Sequence, residues 1–367
     1  MRMLRFADEF GPEKILEVHN PKSGLMGVLV IDSTALGVGK GGIRMTPTVN
    51  TEEVFRLARA MTWKTALAEL PFGGAKSGII ADVKKITKEQ KSILMTEFGR
   101  ALKPVAPCEY VAAPDVYTAE EEMRCFVEGN GSLKSATGKP HDLGGIPHEL
   151  GSTGFGTAHA ALVACEHMGL DINEVTLAIE GFGNVGSFAA KYLTEWGAKI
   201  VAVSDSRGSI FSLDGIDFKQ LQDIKNKTGS VINYPGLKPL THDQVITAPA
   251  DLLIPAALAD VIHKDNVGNV KAKIVVEGAN IPATLGAEDM LHAEGIIVVP
   301  DIVANAGGVI SSYVEYEYGY DPKKAFELIE NKIKRNVKIV LEKAEEVGVK
   351  PRDAALEIAK ERVRKAM

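Results

Sequence analysis

A glycine-rich turn between two apolar segments constrains the fold of this chain more than any other feature. Residues 175–180 are apolar and lead into Gly181-Phe-Gly-Asn-Val-Gly186, after which a helical pattern covers residues 187–196 and a second apolar segment covers residues 198–205. In such a strand–turn–helix, the first glycine permits the turn, the second lets the backbone approach a pyrophosphate, and the third lets helix and strand pack closely. The context predicts a dinucleotide-binding βαβ unit rather than a turn whose glycines only relieve strain.

The predicted cofactor is NAD or NADP. The turn residues expected to contact it are Gly181, Phe182, Gly183, Asn184, Val185 and Gly186. Asp205 ends the second strand, where a carboxylate can accept hydrogen bonds from the ribose hydroxyls of NAD. It would repel the 2′-phosphate of NADP, but Ser206 and Arg207 directly after it could accommodate that group. The choice between the two cofactors therefore stays open.

Around this unit, strands alternate with helical stretches. Strands are predicted at residues 175–180, 199–204, 251–255, 273–277 and 296–299. Because parallel strands need crossover connections, this alternation predicts a parallel, doubly wound α/β sheet. Beyond Asn305 the pattern is helical to the end of the sequence.

The first part of the chain predicts a separate α/β domain. A strand is expected at residues 27–32, a helix from an N-cap at Thr51 to Glu69, a helix at 87–102 and a short strand within 109–115. Two glycine-rich segments, 36–44 and 71–78, are predicted to be loops. Residues 129–151 read as a connection, which gives expected domains of 1–148, joined by C-terminal helices 330–367, and 149–329.

The composition excludes several classes of protein. Hydrophobic residues make up 45% and charged residues 25%, as in ordinary globular proteins. A net charge of -6 without a basic block argues against a nucleic-acid partner. Acidic residues precede any apolar run of signal-peptide length, and no run is long enough for a membrane span, so we expect a cytoplasmic protein without a membrane partner. Cys108, Cys125 and Cys165 are widely spaced, which predicts packing roles rather than disulfides or a metal site.

Two lysines and an aspartate are candidate catalytic groups. Lys64 lies near the end of a predicted helix, Lys76 lies among glycines, and Asp115 follows a short strand. A lysine among glycines can approach a ligand closely, and an amine shielded from water can act as a base while a carboxylate carries a second proton. Taken singly, each residue could equally be an ordinary helix-end, loop or capping residue.

Eight segments together resemble the signature segments of the glutamate/leucine/phenylalanine/valine dehydrogenases, in that family's order. They are residues 39–45, 61–67, 70–79, 112–116, 151–157, 180–186, 276–280 and 300–308. The resemblance spans nearly the whole chain. It implies an N-terminal α/β substrate-binding and oligomerisation domain, a Rossmann-like dinucleotide-binding domain, and C-terminal helices that return to the first domain. It also implies a homo-oligomer, hexameric as in the glutamate enzymes or octameric as in many leucine enzymes.

The same resemblance implies a role for each site residue. Lys64 would bind the substrate α-carboxylate, Lys76 would activate water, and Asp115 would shuttle a proton. Other substrate contacts would come from Lys40, Gly41, Gly42, Asn305, Val309 and Ser312, and other cofactor contacts from Thr153, Ser206 and Asn280. The implied reaction is reversible oxidative deamination of an amino acid to a 2-ketoacid and ammonia. The chain departs from the pattern at Glu149, where many glutamate dehydrogenases have an arginine.

The choice of amino acid depends on two positions. Lys40 and Ser312 match the pair that binds the γ-carboxylate in glutamate dehydrogenases, whereas residues 21–37 resemble the N-terminus of leucine dehydrogenases. Because a buried ammonium without an anion is costly, we expect L-glutamate, with leucine, valine or phenylalanine as the alternative.

Two other classes remain as rivals. A 2-hydroxyacid or aldehyde dehydrogenase would share the dinucleotide turn but need a catalytic His or Cys, and a non-enzymatic NAD sensor would not need the lysines.

Overall fold

The computed structural model describes residues 6–367, so the first five residues considered above lie outside it. The chain divides into two compact units. The first unit comprises Met1–Leu150, Val309–Ala325 and Ile358–Met367, and the second comprises Gly151–Gly308 and Phe326–Glu357. These ranges differ from the expected domains after residue 308, because 309–325 group with the first unit and 326–357 with the second. The functions assigned to the expected domains stay predictions.

The first unit contains a six-stranded mixed sheet. Its strands are β1 (Lys14–Asn20), β2 (Leu25–Ser33), β3 (Gly39–Lys40), β4 (Ile43–Thr46), β5 (Gly73–Ile80) and β6 (Tyr110–Val111). The order is β1-β2-β5-β3-β6, and β4 also pairs with β5. β2 is antiparallel to β1 and β5, while β3 and β4 run parallel to β5. The predicted strand at 27–32 is confirmed within β2.

Three α-helices lie within the described residues 6–150. They are α1 (Thr51–Leu67), α2 (Lys88–Ala101) and α3 (Glu120–Asn130). Both faces of β2 are buried: Leu29 and Ile31 join the core that includes residues of α2 and α3, whereas Val28 and Val30 pack with residues of α1. The alternation follows from the two-residue period of side chains in a strand.

The start of α1 differs from the prediction by one residue. Asn50, not Thr51, is the N-cap, because its side chain accepts a hydrogen bond from the backbone N–H of Glu53. Asparagine and threonine are both favoured caps, so composition alone did not separate the two neighbours. The predicted helix at 87–102 is confirmed as α2, with Thr87 as its N-cap.

The segment around Lys76 is a strand, so the predicted loop at 71–78 is wrong. β5 contains three glycines, which are poor strand formers. It is nevertheless buried between β2 and the parallel strands β3 and β4. A Cβ atom on Gly74 would lie 2.3 Å from the backbone nitrogen of Thr62, so glycine is required where α1 crosses the strand. The other predicted loop likewise contains β3 and the start of β4.

The second unit has the predicted doubly wound sheet. Its strands are β7 (Thr176–Glu180), β8 (Lys199–Asp205), β9 (Gly208–Phe211), β10 (Leu252–Pro255), β11 (Ile274–Val276) and β12 (Ile297–Val299). The order is β12-β11-β10-β7-β8-β9, parallel except for β9. All five predicted strands are confirmed, and β9 was not predicted. Strand order reverses beside β7, and open α/β sheets bind ligands at such a switch point.

The remaining helices are α4 (Ser152–His167), α5 (Asn184–Glu195), α6 (Phe218–Thr228), α7 (Leu285–Ala293), α8 (Asp301–Ala304), α9 (Gly307–Tyr318), α10 (Pro322–Val347) and α11 (Pro351–Ala366). The helical pattern predicted beyond Asn305 is therefore confirmed. The expected connection at 129–151 contains three short 3₁₀ turns. Across residues 6–367, no helix is long and apolar enough to cross a membrane. Cys125 and Cys165 are buried as expected, but Cys108 is exposed.

Candidate active site

Lys76 and Asp115 come together in the first unit. Nζ of Lys76, on β5, donates a hydrogen bond to Oδ1 of Asp115 over 2.8 Å. Nε of Arg44, on β4, donates to Oδ2 over 2.8 Å and links the carboxylate through Arg44 to Glu53. Burial alone would raise the pKa of Asp115, but the charges of Lys76 and Arg44 outweigh it and hold the pKa below its usual value. Asp115 is therefore an ionised acceptor between two cations.

Gly41 and Gly42 allow the backbone beside this pair to approach closely. A Cβ atom on Gly41 would lie 1.7 Å from the carbonyl oxygen of Ala75 and 3.1 Å from Cα of Lys76. One on Gly42 would lie 2.8 Å from Cβ of Asp115. Real Cβ atoms do not make contacts under 3 Å, so any larger residue at either position would displace the catalytic candidates.

Lys40 is buried, with 1% of its surface exposed. Its Nζ donates to the carbonyl oxygen of Ala112 over 2.8 Å. Burial lowers the pKa of Lys40 to about 7, because the charged form loses its hydration; Glu315 acts in the opposite direction. Within the described residues no carboxylate forms an ion pair with Lys40. It is therefore not a surface lysine.

Lys64, Val309 and Ser312 are partly buried residues of the same unit. Lys64 lies in the last turn of α1, the helix that contacts β5 at Thr62. Val309 and Ser312 are three residues apart on α9 and so share one side of that helix. Phe72, directly before β5, packs edge-on against Tyr313 of α9 at 5.9 Å between ring centroids.

The glycine turn of the second unit fits a pyrophosphate. Gly181 has φ of 92°, and a Cβ atom on Gly186 would lie 2.0 Å from the carbonyl oxygen of Gly181. Nothing lies within 4 Å of a Cβ placed on Gly183, which is the N-cap of α5 and supplies no side-chain cap. Gly183 is exposed, and Asn184 and Val185 follow it in the first turn of α5, so the turn leads directly into a helix N-terminus, the position at which proteins bind anions.

Asp205 lies at the end of β8 as predicted, but its carboxylate already has four partners. Oδ1 accepts hydrogen bonds from the backbone of Arg207 at 2.9 Å and from Ser230 at 3.0 Å. Oδ2 accepts from Nζ of Lys225 at 2.7 Å and from the backbone of Val231 at 2.9 Å. Two carboxylate oxygens offer about four acceptor positions, so a ribose hydroxyl that binds Asp205 would have to displace one of these donors. Ser206 is exposed beside this cluster.

Asn280 and Asn305 come together in the second unit, and Thr153 contacts Gly308, three residues after Asn305. Nδ2 of Asn305 donates to Oδ1 of Asn280 over 3.0 Å. A Cβ atom on Gly308 would lie 2.9 Å from Oγ1 of Thr153, so the start of α9 packs directly on the first turn of α4.

Three charged side chains with evident roles in the two units were not singled out from the sequence. Arg44 binds Asp115, and Glu315 forms a buried ion pair with Lys139 at 2.6 Å. Arg352 is 8% exposed and binds three carboxylates, those of Glu277, Glu288 and Asp301. One sequence pattern could have identified such a residue: a charged side chain within an apolar or small-residue segment, as Arg44 is between Ile43 and Met45.

Comparison with sequence families decides the identity. The family model described as "Glutamate/Leucine/Phenylalanine/Valine dehydrogenase" matches residues 144–367. The model described as "Glu/Leu/Phe/Val dehydrogenase, dimerisation domain" matches residues 12–130. The chain belongs to this dehydrogenase family. As a member it is an NAD(P)-dependent amino-acid dehydrogenase.

Individual relatives agree. The dehydrogenase is 40% identical over 352 residues to a glutamate dehydrogenase of Aeropyrum pernix, covering 91% of this chain and 84% of the relative. It is 42% identical over 319 residues to an NADP-specific glutamate dehydrogenase of Saccharolobus shibatae, covering 83% and 75%. Its structure is similar to that of a hetero-hexameric glutamate dehydrogenase from Thermus thermophilus, with a TM-score of 0.85 and 29% identity over 97% of this chain and 89% of that one.

Family membership removes the rival classes. A 2-hydroxyacid dehydrogenase would need a catalytic histidine, but His159 packs at 4.4 Å against Phe155 and at 4.8 Å against Trp196, between ring centroids. Burial lowers the pKa of His159 to about 4, so it is neutral near pH 7. His141 and Glu149 are exposed in 3₁₀ turns. The individual roles of the site residues stay predictions.

Proposed function

We propose that this dehydrogenase catalyses the reversible oxidative deamination of L-glutamate to 2-oxoglutarate and ammonia. The observation that carries the proposal is the buried ammonium of Lys40, which has carbonyl partners but forms no ion pair with a carboxylate in the part of the chain that the structure describes. A buried charge is costly unless a counter-charge reaches it. The γ-carboxylate of glutamate supplies one, whereas the side chain of leucine or phenylalanine does not.

Each candidate substrate-binding residue has a proposed task. Lys64 binds the α-carboxylate of the substrate, and Ser312 with Lys40 binds the γ-carboxylate. Gly41, Gly42 and Val309 shape the pocket, and Asn305 contacts the substrate. Relatives named as glutamate dehydrogenases support this assignment of the substrate.

The cofactor, when bound, accepts the hydride of the substrate α-carbon. Thr153, Ser206, Asn280, Asp205 and the turn residues 181–186 are proposed to hold it. Lys76 passes a proton to Asp115 across their hydrogen bond, and the neutral amine then takes a proton from the water that attacks the iminium carbon. Asp115 gives its proton to the amine nitrogen, and the carbinolamine collapses to 2-oxoglutarate and ammonium. Running backwards, the same groups aminate 2-oxoglutarate.

We also propose that the enzyme is a homo-oligomer; the family's dimerisation-domain description and the hetero-hexameric Thermus relative support assembly of subunits. A hexamer is the expected form and an octamer the alternative. A location in the cytoplasm, without nucleic-acid or membrane partners, stays a prediction.

The substrate is tested by measuring oxidation of NADH and of NADPH with ammonia and a panel of 2-ketoacids. We expect 2-oxoglutarate to have the highest kcat/KM. A preference for 4-methyl-2-oxopentanoate or phenylpyruvate would instead favour the branched-chain or aromatic alternative.

A further inference from the structure

A buried carboxylate on α9 ties two segments of the first unit together. The side chain of Glu315 is 2% exposed, and its Oε1 lies 2.6 Å from Nζ of Lys139. Oε2 accepts hydrogen bonds from the backbone N–H of Gly138 at 2.9 Å and of Ile146 at 3.1 Å. The backbone N–H of Lys139 adds a fourth at 3.4 Å. One carboxylate therefore fixes α9 against residues 138–146.

The same segment leads to the carbonyl that holds Lys40. Nζ of Lys139 also donates to the carbonyl oxygen of Ala136 over 2.8 Å. Ala136 pairs with Ala112 in an isolated parallel bridge, and the backbone N–H of Thr137 donates to the carbonyl oxygen of Ala112 over 3.0 Å. That oxygen is the one that accepts from Nζ of Lys40 at 2.8 Å. Polar contacts therefore continue from Glu315 to Lys40.

Glu315 also lies three residues after Ser312 on α9, and residues at this spacing share one side of a helix. The two side chains proposed to bind the γ-carboxylate, Lys40 and Ser312, are thus both attached to structure that Glu315 holds.

Without Glu315, the positive charge of Lys139 would act on Lys40 with no negative charge to compensate it. The groups whose charges act on Lys40 are Lys76 on β5, Lys139 in the 138–146 segment and Glu315 on α9. Lys76 is paired with Asp115, whereas Glu315 compensates Lys139 and acts on Lys40 as well. Burial has the largest effect and lowers the pKa of Lys40. Among the charges, that of Glu315 raises this pKa, and those of Lys139 and Lys76 lower it.

We propose that Glu315 is a positioning residue of the γ-carboxylate subsite, because its carboxylate holds Ser312 and the carbonyl of Ala112 in place and adds a negative charge that favours the ammonium form of Lys40. The inference rests on the proposed action on glutamate. Glu315 itself is proposed to touch neither substrate nor cofactor.

The test is the pH dependence of KM for 2-oxoglutarate in the full-length enzyme. In the wild type, KM should rise as pH passes the pKa of Lys40, about 7, because only the ammonium binds the γ-carboxylate. Glu315→Gln keeps the size of the side chain and removes its charge, so this midpoint should move to lower pH. Above the midpoint, KM should then rise about tenfold for each pH unit of the shift. The KM for ammonia and kcat should change much less.

A second variant should shift the midpoint of the KM profile in the opposite direction. Lys139→Gln removes a cation that acts on Lys40, so the midpoint should move to higher pH. Glu317→Gln, on the exposed side of the same helix, is the matched control and should leave the profile unchanged. Loss of packing alone would move both buried variants in one direction or leave both midpoints where they are.

The outcomes separate this inference from the proposed function. A wild type that does not use 2-oxoglutarate contradicts the proposed function itself. A wild type that uses 2-oxoglutarate, with midpoints that do not shift in opposite directions in the two variants, contradicts only the role of Glu315. Thermal melting identifies a variant that fails to fold. In that case Glu315→Asp, which keeps the charge, must retain the wild-type midpoint for the proposal to stand.

Discussion

Nζ of Lys76 donates a hydrogen bond to Oδ1 of Asp115 over 2.8 Å, although 39 residues separate the two in sequence. Lys76 is fixed in a central strand, and Asp115 is held by Arg44 and by a backbone hydrogen bond to Thr118. Neighbouring residues therefore hold the backbone of both Lys76 and Asp115 in place. A base and a proton carrier at hydrogen-bond distance are what the proposed deamination requires.

The first prediction is that Lys76→Met abolishes most turnover while the protein still folds. Proton transfer by a positioned side chain contributes about 10²- to 10⁴-fold to rate, so kcat should fall by at least about 10²-fold. Arg44 continues to neutralise Asp115, so folding and cofactor binding should persist. Steady-state kinetics, cofactor titration and thermal melting measure these three properties. Lys85→Met, at an exposed lysine, is the control, and a Lys76 variant within a few-fold of wild-type turnover would contradict the catalytic role.

The second prediction concerns cofactor choice at Asp205. Lys225 neutralises this carboxylate and Arg207 lies beside it, so a 2′-phosphate meets less repulsion than Asp205 alone would cause. Lys225→Met should weaken binding of NADPH relative to NADH by about tenfold or more, the effect of losing a charge-assisted contact. Asp205→Ser should shift the ratio toward NADPH instead. Fluorescence titration of both cofactors measures the ratio without turnover.

Lys227→Met is the control for that pair, because Lys227 is exposed two residues further along α6. Equal effects on NADH and NADPH in the Lys225 variant would show that other residues choose the cofactor.

The sequence predicted the second unit better than the first for a physical reason. Parallel strands are buried on both faces and read as continuous apolar runs, so β7, β8, β10, β11 and β12 were visible in the sequence. β5 was not, because Gly73, Gly74 and Gly78 give it low strand propensity. Its burial depends on pairing with β2 and on contact with α1, and neither partner is adjacent to it in sequence. The short edge strand β9 lacked a comparable pattern.

The site was predictable as single residues but not as a network. Lys40, Lys76 and Asp115 stood out because of their glycine-rich or strand-end surroundings. Glu315 did not, since its partner Lys139 is 176 residues away and both occur in otherwise unremarkable segments. Charge partners at such separations are set by the tertiary fold, which a local pattern does not contain.

The third prediction concerns the buried cluster at Arg352. This guanidinium binds Glu277 at 2.6 Å, Glu288 at 2.6 Å and Asp301 at 2.9 Å. Arg352→Met would leave three buried carboxyl groups, at least two of them ionised, without their cation, and the free energy of unfolding should fall by about 3–5 kcal/mol. Chemical denaturation measures it. Arg364→Met, at an exposed position of the same helix, should cost less than about 1 kcal/mol; equal losses would contradict the assignment.

The fourth prediction follows from the same cluster and concerns pH. Burial raises the pKa of Glu277, with Arg352 opposing and Asp301 and Glu288 reinforcing the rise. The folded state therefore keeps a proton that the unfolded state releases above its own pKa of about 4.3, so stability should fall as pH rises from that value toward the folded pKa. Glu277→Gln cannot ionise and should flatten this part of the profile of melting temperature against pH. A profile as steep as that of the wild type would mean that other groups cause the slope.

The last prediction decides the substrate through Lys40. Lys40→Leu replaces the buried ammonium with a shorter apolar side chain, and the γ-carboxylate of 2-oxoglutarate then loses its counter-charge. Its kcat/KM should fall by an amount equivalent to about 1.5–3 kcal/mol, the worth of a hydrogen bond to a charged group. Activity on 4-methyl-2-oxopentanoate should rise, because its branched side chain no longer buries the ammonium of Lys40 without a counter-charge and can pack against an apolar side chain. Both shifts are required, since a general loss of activity would lower both values together. A variant that treats the two ketoacids as the wild type does would show that Lys40 does not face the substrate, and the leucine-like segment at 21–37 would then be the better guide to specificity.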